Sequence, residues 1–273
     1  MAITNNIYTK HFNNELSIQI SLSGLSFCIL HKETKTISYL NNFNFDKKLN
    51  PHEVLDKLKD VFHTETRLQS AFNTVTVIHA NELATLVPKP LFDETALADY
   101  LKFNSKILKS DFIAFDTIDI NESVNVYVPY ANINNFIYDL FGAFTYKHIS
   151  TILIEQLLMI EKNAAELKMY VHVDYKNFEI IVIENGKLLL YNTFEFNTKE
   201  DFIYYILFTA EQLKLNPETL HLIFIGNINK EDAFYNMAYK YIRHIDFGNF
   251  VENYTYPEKT LANHLNFTLI KSF

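Results

Sequence analysis

One pattern in this chain occurs twice. Residues 18–30, IQISLSGLSFCIL, align without a gap on residues 171–183, VHVDYKNFEIIVI, 153 positions later. After a turn that is two residues longer in the first copy, residues 39–45 fall opposite residues 190–196. Both copies alternate apolar with polar side chains and are rich in β-branched and aromatic residues, so each reads as three antiparallel strands. The pair Asn185-Gly186 marks a tight hairpin in the second copy, since such a turn needs positive φ at both central residues. A helix follows each unit. In the first, Asn50 or a neighbour is the cap, Pro51 sits early, and Val54, Leu55, Leu58, Val61 and Phe62 share a face. The second carries Phe202, Ile203, Ile206, Leu207 and Ala210, with Pro217 beyond its end. A further strand is expected at 74–79 and at 220–225. The shared order is strand, strand, strand, helix, strand, helix, and it is read as a duplication.

Composition narrows the function classes. The chain has 273 residues, 48% hydrophobic and 21% charged, which describes a globular protein and not a disordered one. Lys and Arg number 24 against 32 Asp and Glu, a formal charge of −8. That sign argues against nucleic acid and against an anionic membrane surface, both of which call for a basic face. Cys28 is the single cysteine, so no disulfide forms within the chain. Residues 1–10 lack the apolar core of a signal peptide. The most apolar stretches, 149–160 and 203–210, fall short of the roughly 20 residues of a membrane span. A soluble, cytoplasmic protein is expected.

Between the copies, residues 94–104 read as a helix, 112–120 and 124–129 as extended, 133–141 as a helix stopped near Gly142, and 149 to about 167 as a long linking helix. Chemistry-bearing patterns are few. The ten histidines show no ligand-pair spacing and have no cysteine partners, so no metal is expected. Cys28 lies in an apolar run, where a thiol behaves as a small hydrophobe. With five glycines and no Gly-x-Ser-x-Gly elbow, no Walker loop, dinucleotide loop or nucleophile elbow is assembled. Asp111, Asp116, Asp119 and Glu122 form an acidic stretch, read first as a solvated edge and second as a supply of catalytic carboxylates. Phe234, Tyr235, Tyr239 and Tyr241 belong to a helix and serve as core or as a partner surface.

The order of elements resembles the actin-like ATPase superfamily, and within it the bacterial cell-division and pilus-assembly proteins FtsA and PilM. As a whole the sequence resembles a bacterial domain-of-unknown-function family of that superfamily. The resemblance implies an α/β protein with two mixed sheets flanked by helices. The first half would span residues 1–148, with a small inserted subdomain at about 88–145. The linking helix and second half would span 149–273. In the superfamily, a hairpin after the first strand of each repeat grips nucleotide phosphates with an Asp followed two positions later by Gly. A glycine there lets a backbone N–H approach phosphate closely, and the Asp holds a hydrated Mg²⁺. Here Ser21 stands at the Asp position and Ser23 at the Gly position, with Gly24 one place late. The second copy keeps Asp174 but has Lys176 at the glycine position, and the adenosine motif is reduced to Gly226. The resemblance therefore implies a degenerate nucleotide site. The expected protein is a non-enzymatic interaction or scaffold protein with no cofactor and an unidentified protein partner. The alternative is an ATP-binding switch or weak ATPase, with Mg²⁺–ATP held by Ser21, Ser23, Gly24, Asp174, Lys176 and Gly226. A kinase using the acidic stretch is a third possibility.

Overall fold

The computed structural model describes residues 13–250, 254–256 and 262–273, so the reading of residues 1–10 lies outside the described residues. The first half opens with β1 (Asn14–Ile20), β2 (Gly24–His31) and β3 (Thr36–Asn44), an antiparallel meander, followed by helix α1 (Pro51–Thr64) and β4 (Thr74–His79). The second half repeats this with β9 (Lys168–Val173), β10 (Asn177–Glu184), β11 (Lys187–Glu195), α5 (Lys199–Gln212) and β12 (His221–Gly226). The two sheets have the same strand order. One runs β3-β2-β1-β4-β8, where β8 is Thr145–His148; the other runs β11-β10-β9-β12-β13, where β13 is His244–Phe247.

The likeness extends to register. Ile20 pairs with Leu25 as Val173 pairs with Phe178, and a bulge follows Ile29 in one copy and Val182 in the other. Each of these pairs is 153 positions apart, the spacing in the sequence. Both helices begin with a reciprocal cap. The Asn50 side chain accepts from the Glu53 amide while Glu53 accepts from Asn50, and Thr198 and Asp201 do the same for α5. Each box satisfies two amides that the first helical turn leaves open. At the hairpin between β10 and β11, Asn185 and Gly186 both have positive φ, 52° and 68°.

Between β4 and β8 lies a smaller unit. β5 (Ala84–Pro88), β7 (Ser123–Tyr127) and β6 (Ala114–Ile118) form a sheet in that order, covered by helix α2 (Leu97–Lys102) around Val87, Leu101, Val124 and Val126. The insertion is expected at about 88–145, and this sheet with its helix occupies residues 84–127 of the stretch between β4 and β8. Helix α3 (Ala131–Phe141), read from sequence as its exit, packs Ile133 and Ile137 into the first-half core with Leu16, Ile18 and Phe62. β8 joins the first-half sheet. Within residues 94–104, a 3-10 turn at Glu94–Ala96 precedes α2, which ends at Lys102.

Helix α4 (Ile149–Ile160) passes between the halves. It stops seven residues before the expected end near 167, because Glu161 turns inward. The Glu161 carboxylate accepts from Lys168 Nζ at 2.9 Å and from Tyr170 Oη at 2.5 Å, which draws the chain into β9. α4 and the short α7 (Phe267–Lys271) are buried between the inner faces of both sheets. Cys28 and Ile78 of one half, and Tyr170, Ile181 and Ile225 of the other, meet them in one apolar cluster. The outer faces build a separate core in each half, under α1 and α3 or under α5 and α6 (Ala233–Tyr239). Phe234 and Tyr235 of α6 pack on the second-half core, whereas Tyr239 and Tyr241 are exposed. No described helix is long and apolar enough to cross a membrane.

Candidate functional site

The two hairpin loops face one another across the gap between the halves. Loop 21–24 closes with the Ser21 amide donating to the Gly24 carbonyl, and loop 174–177 closes identically from Asp174 to Asn177. Phe45 donates to the Ser23 carbonyl and Phe196 to that of Lys176, so each third strand is tied to its loop in the same way. The backbone of the two loops is bonded alike, and what differs is the side chains they carry.

The candidate residues fall into two groups. Ser21, Ser23 and Lys176 line a cavity of 240 Å³ between the halves, together with Asp46, Lys47, Lys48, Glu82 and Glu195. Asp174 and Gly226 line a separate space of 30 Å³, with Gln19, His172 and Thr268. Gly24 lines neither. It begins β2, packed so closely on β3 that an added methyl would lie 2.9 Å from the Phe43 carbonyl oxygen.

In the larger cavity the loop is turned on itself. The hydroxyls of Ser21 and Ser23 are 3.1 Å apart and buried, Ser21 donates to the Gly24 carbonyl, and the Ser23 amide donates to Ser21 Oγ at 3.3 Å. An amide of this loop is thus already engaged. The charged side chains lining the space are Asp46, Glu82 and Glu195 against Lys47, Lys48 and Lys176, which cancel formally. Lys48 is held by Glu195 of the other half and by Glu82. Burial works against the Lys48 ammonium, but these carboxylates outweigh it and its pKa is raised. Lys176 lies over the Tyr175 ring at 5.3 Å. A cavity without net positive charge gives a polyphosphate little electrostatic attraction.

In the smaller space Asp174 is bonded at both oxygens. Oδ1 accepts from the Tyr175 amide at 2.7 Å, and Oδ2 accepts from Gln19 Nε2 at 3.2 Å, a bond between halves. Gln19 in turn accepts from Thr268 Oγ1. Gly226 has φ 83° and donates its amide to the His264 carbonyl at 2.7 Å. A Cβ at Gly226 would collide with the Val173 carbonyl oxygen, so glycine is required by the close passage of β9. His172, behind it, lies 2.7 Å from Glu179 through Nδ1. A space of 30 Å³ admits about one water and no nucleoside.

The acidic stretch does not converge on the cleft. Asp111 accepts from the Leu108 amide, Asp119 pairs with Lys89 at 2.8 Å, and Glu122 occupies a turn at φ 47°. Asp116 alone turns inward, accepting from Tyr127 Oη, Thr151 Oγ1 and the His148 amide at 3.1, 2.7 and 3.0 Å. Lys48, Glu82 and Glu195 were not legible as site residues. Lys48 and Glu82 lie on the loops beyond the third and fourth strands of the first half, Glu195 ends β11, and the bonds from the Phe45 amide to the Ser23 carbonyl and from the Leu49 amide to the Leu22 carbonyl bring Lys48 beside the first hairpin.

Solved structures resemble this arrangement. A protein of unknown function with an actin-like ATPase fold, from Bacteroides thetaiotaomicron VPI-5482, superposes with a TM-score of 0.77 at 26% identity, over 89% of this chain and 93% of that one. PilM, in the PilM–PilN type IV pilus biogenesis complex, gives 0.53 at 10% identity over 86% and 88%. The ethanolamine utilization protein EutJ from Carboxydothermus hydrogenoformans gives 0.52 at 9% over 94% and 88%. No curated protein matches the chain. The fold is therefore the duplicated actin-like one. Matched over residues 4–245, the chain belongs to the family DUF3822, described as proteins of unknown function.

Proposed function

We propose that the protein is a non-enzymatic interaction or scaffold protein whose interlobe nucleotide site has degenerated, and that its mechanism is recognition of a partner protein. The observation that carries this reading is the self-satisfied first grip, in which Ser21 and Ser23 bond each other and hold the loop amide of Ser23. The balanced charge of the cavity and the engaged amide of Gly226 support it. Capture of a partner's short segment on the first half fits the likeness to PilM, whose structure is that of a complex with PilN.

The test is thermal unfolding with Mg²⁺–ATP, Mg²⁺–ADP and magnesium alone. A ligand at 100 times its Kd stabilises the native state by about 2.7 kcal/mol, a midpoint rise of about 5–10 °C for a protein of this size. No shift is expected up to millimolar nucleotide. A saturating shift with ATP would overturn the reading in favour of an ATP-binding switch held by Ser21, Ser23 and Lys176, which share one cavity.

A further inference from the structure

The inserted unit carries a second, larger cavity, which the nucleotide question does not touch. It measures 350 Å³ and lies between the insert and the first-half sheet. Phe112, Phe115, Tyr127 and Tyr146 wall it, and its charged lining residues are Glu94 and Asp116. Among the described residues no Lys or Arg lines it. Lys147, next to Tyr146 in β8, is bound to Glu155 at 2.8 Å. Burial raises the Asp116 carboxyl's pKa, while its three hydrogen-bond donors and Lys147 oppose that shift and favour the anion. Beside the cavity runs β6, an edge strand of the insert's sheet that pairs only with β7. Its outer row of amides and carbonyls has no strand partner among the described residues. At the rim, Phe112 is 55% exposed, and Leu91, Phe103 and Leu108 of the same unit are more exposed still.

These features fit one kind of occupant. An open edge recruits an extended chain through backbone hydrogen bonds, and pockets for alternate side chains then choose among chains. Aromatic walls ending in carboxylates suit a side chain with an apolar stem and a cationic head. We infer that this cavity is a docking site for an extended segment of a partner protein, which pairs along β6 and seats a lysine or arginine side chain against Asp116 and Glu94. The inference deepens the interaction-protein reading and rests on it, by naming where a partner segment sits and what it must carry.

The probe is a blocked five-residue peptide of alternating valine and threonine with arginine at its centre, titrated into the full chain by calorimetry. Its controls are the same peptide with norleucine at the centre, and arginine amide alone. The arginine peptide is expected to bind saturably, and norleucine to weaken it by about tenfold, as loss of a charged contact does. Asp116→Asn should weaken it comparably, and the exposed Glu94→Gln by a smaller factor. Since Asp116 also anchors Tyr127, Thr151 and His148, Glu94→Gln and a fall in affinity with added salt serve where Asp116→Asn does not fold. Equal binding of the norleucine peptide, absence of binding at millimolar peptide, or arginine amide binding as tightly as the peptide would overturn the proposal. Failure here leaves the nucleotide titration to judge the wider reading, because the two experiments share neither ligand nor site.

Discussion

At the end of its fourth strand each half must fill the space beside the end of its first strand, and the two halves do so by opposite means. In the first, Ile20 pairs with His79; at the matching position in the second, Val173 pairs with Gly226. His79 is fully buried and plugs the space with a ring that bonds Asn134 at 3.0 Å and the Tyr130 amide at 3.3 Å. Gly226 leaves no side chain at all and lets β9 and the 262–264 turn come against its backbone. One half fills the position with a titratable group and the other removes every atom it can. A common backbone plan thus constrains where a residue sits and says little about what chemistry it brings.

The largest consequence is pH dependence seated in the first half. Burial holds His79 down to about 4, and burial with His79 beside it holds His148 down to about 3, against 6.5 when unfolded. Both are neutral in the native state at pH 7. Their stabilisation is fully present above pH 6.5 and falls as pH drops towards 4, because the unfolded chain takes up the protons there. At 1.36 kcal/mol per pH unit, each histidine accounts for about 3 kcal/mol over that window. Urea unfolding at pH 7, 5.5 and 4 should show the loss, and His79→Gln should reduce its slope. An unchanged slope would mean that the buried ring is not the acid-sensitive plug.

Next in size is the glycine. Gly226→Ala combines positive φ with a collision against the Val173 carbonyl, and about 3 kcal/mol or more of destabilisation is expected in the same unfolding assay. His79→Ala, its counterpart, acts by leaving a hole and an unpaired Tyr130 amide, so a partial rescue by buffer imidazole is expected only in the first half. The smallest effects sharpen the comparison from the other side. Asn50→Ala and Thr198→Ala break equivalent capping boxes, and each should cost about 1 kcal/mol. A clear inequality between them would show that the halves differ even where their geometry agrees.

Much of the architecture was legible because repetition reports on backbone. A gapless 153-residue offset fixes register as well as order, and the Asn185-Gly186 turn and the Asn50 cap are local chemistry that needs no tertiary partner. Two elements were not legible. The apolar face of α3, with Ile133 and Ile137, is visible in the sequence, but a periodic face does not say which core it enters, and it entered the first-half core and not the insert. The end of α4 depends on Glu161 reaching Tyr170 and Lys168, which no propensity encodes. The candidate site was legible by position and illegible by chemistry. Ser21, Ser23 and Lys176 do share a cavity, while the carboxylates that cancel its lysines arrive from two loops and the end of β11, none bearing a motif. Asp174 and Gly226 were parted from them by Gln19 and the 262–273 segment, whose approach no spacing announces.

The apolar cluster around α4 and α7 bears on how such a chain came to exist. The inner face of each sheet, with Cys28 and Ile78 on one side and Tyr170, Ile181 and Ile225 on the other, is buried only because the opposite half and the two helices cover it. A single ancestral half, before duplication, would have presented that face bare to water and would have had to seek a second copy of itself. The fused chain inherits that obligatory partnership as an internal contact. Inside one polypeptide the side chains of either hairpin loop can change while the opposite half keeps the face covered.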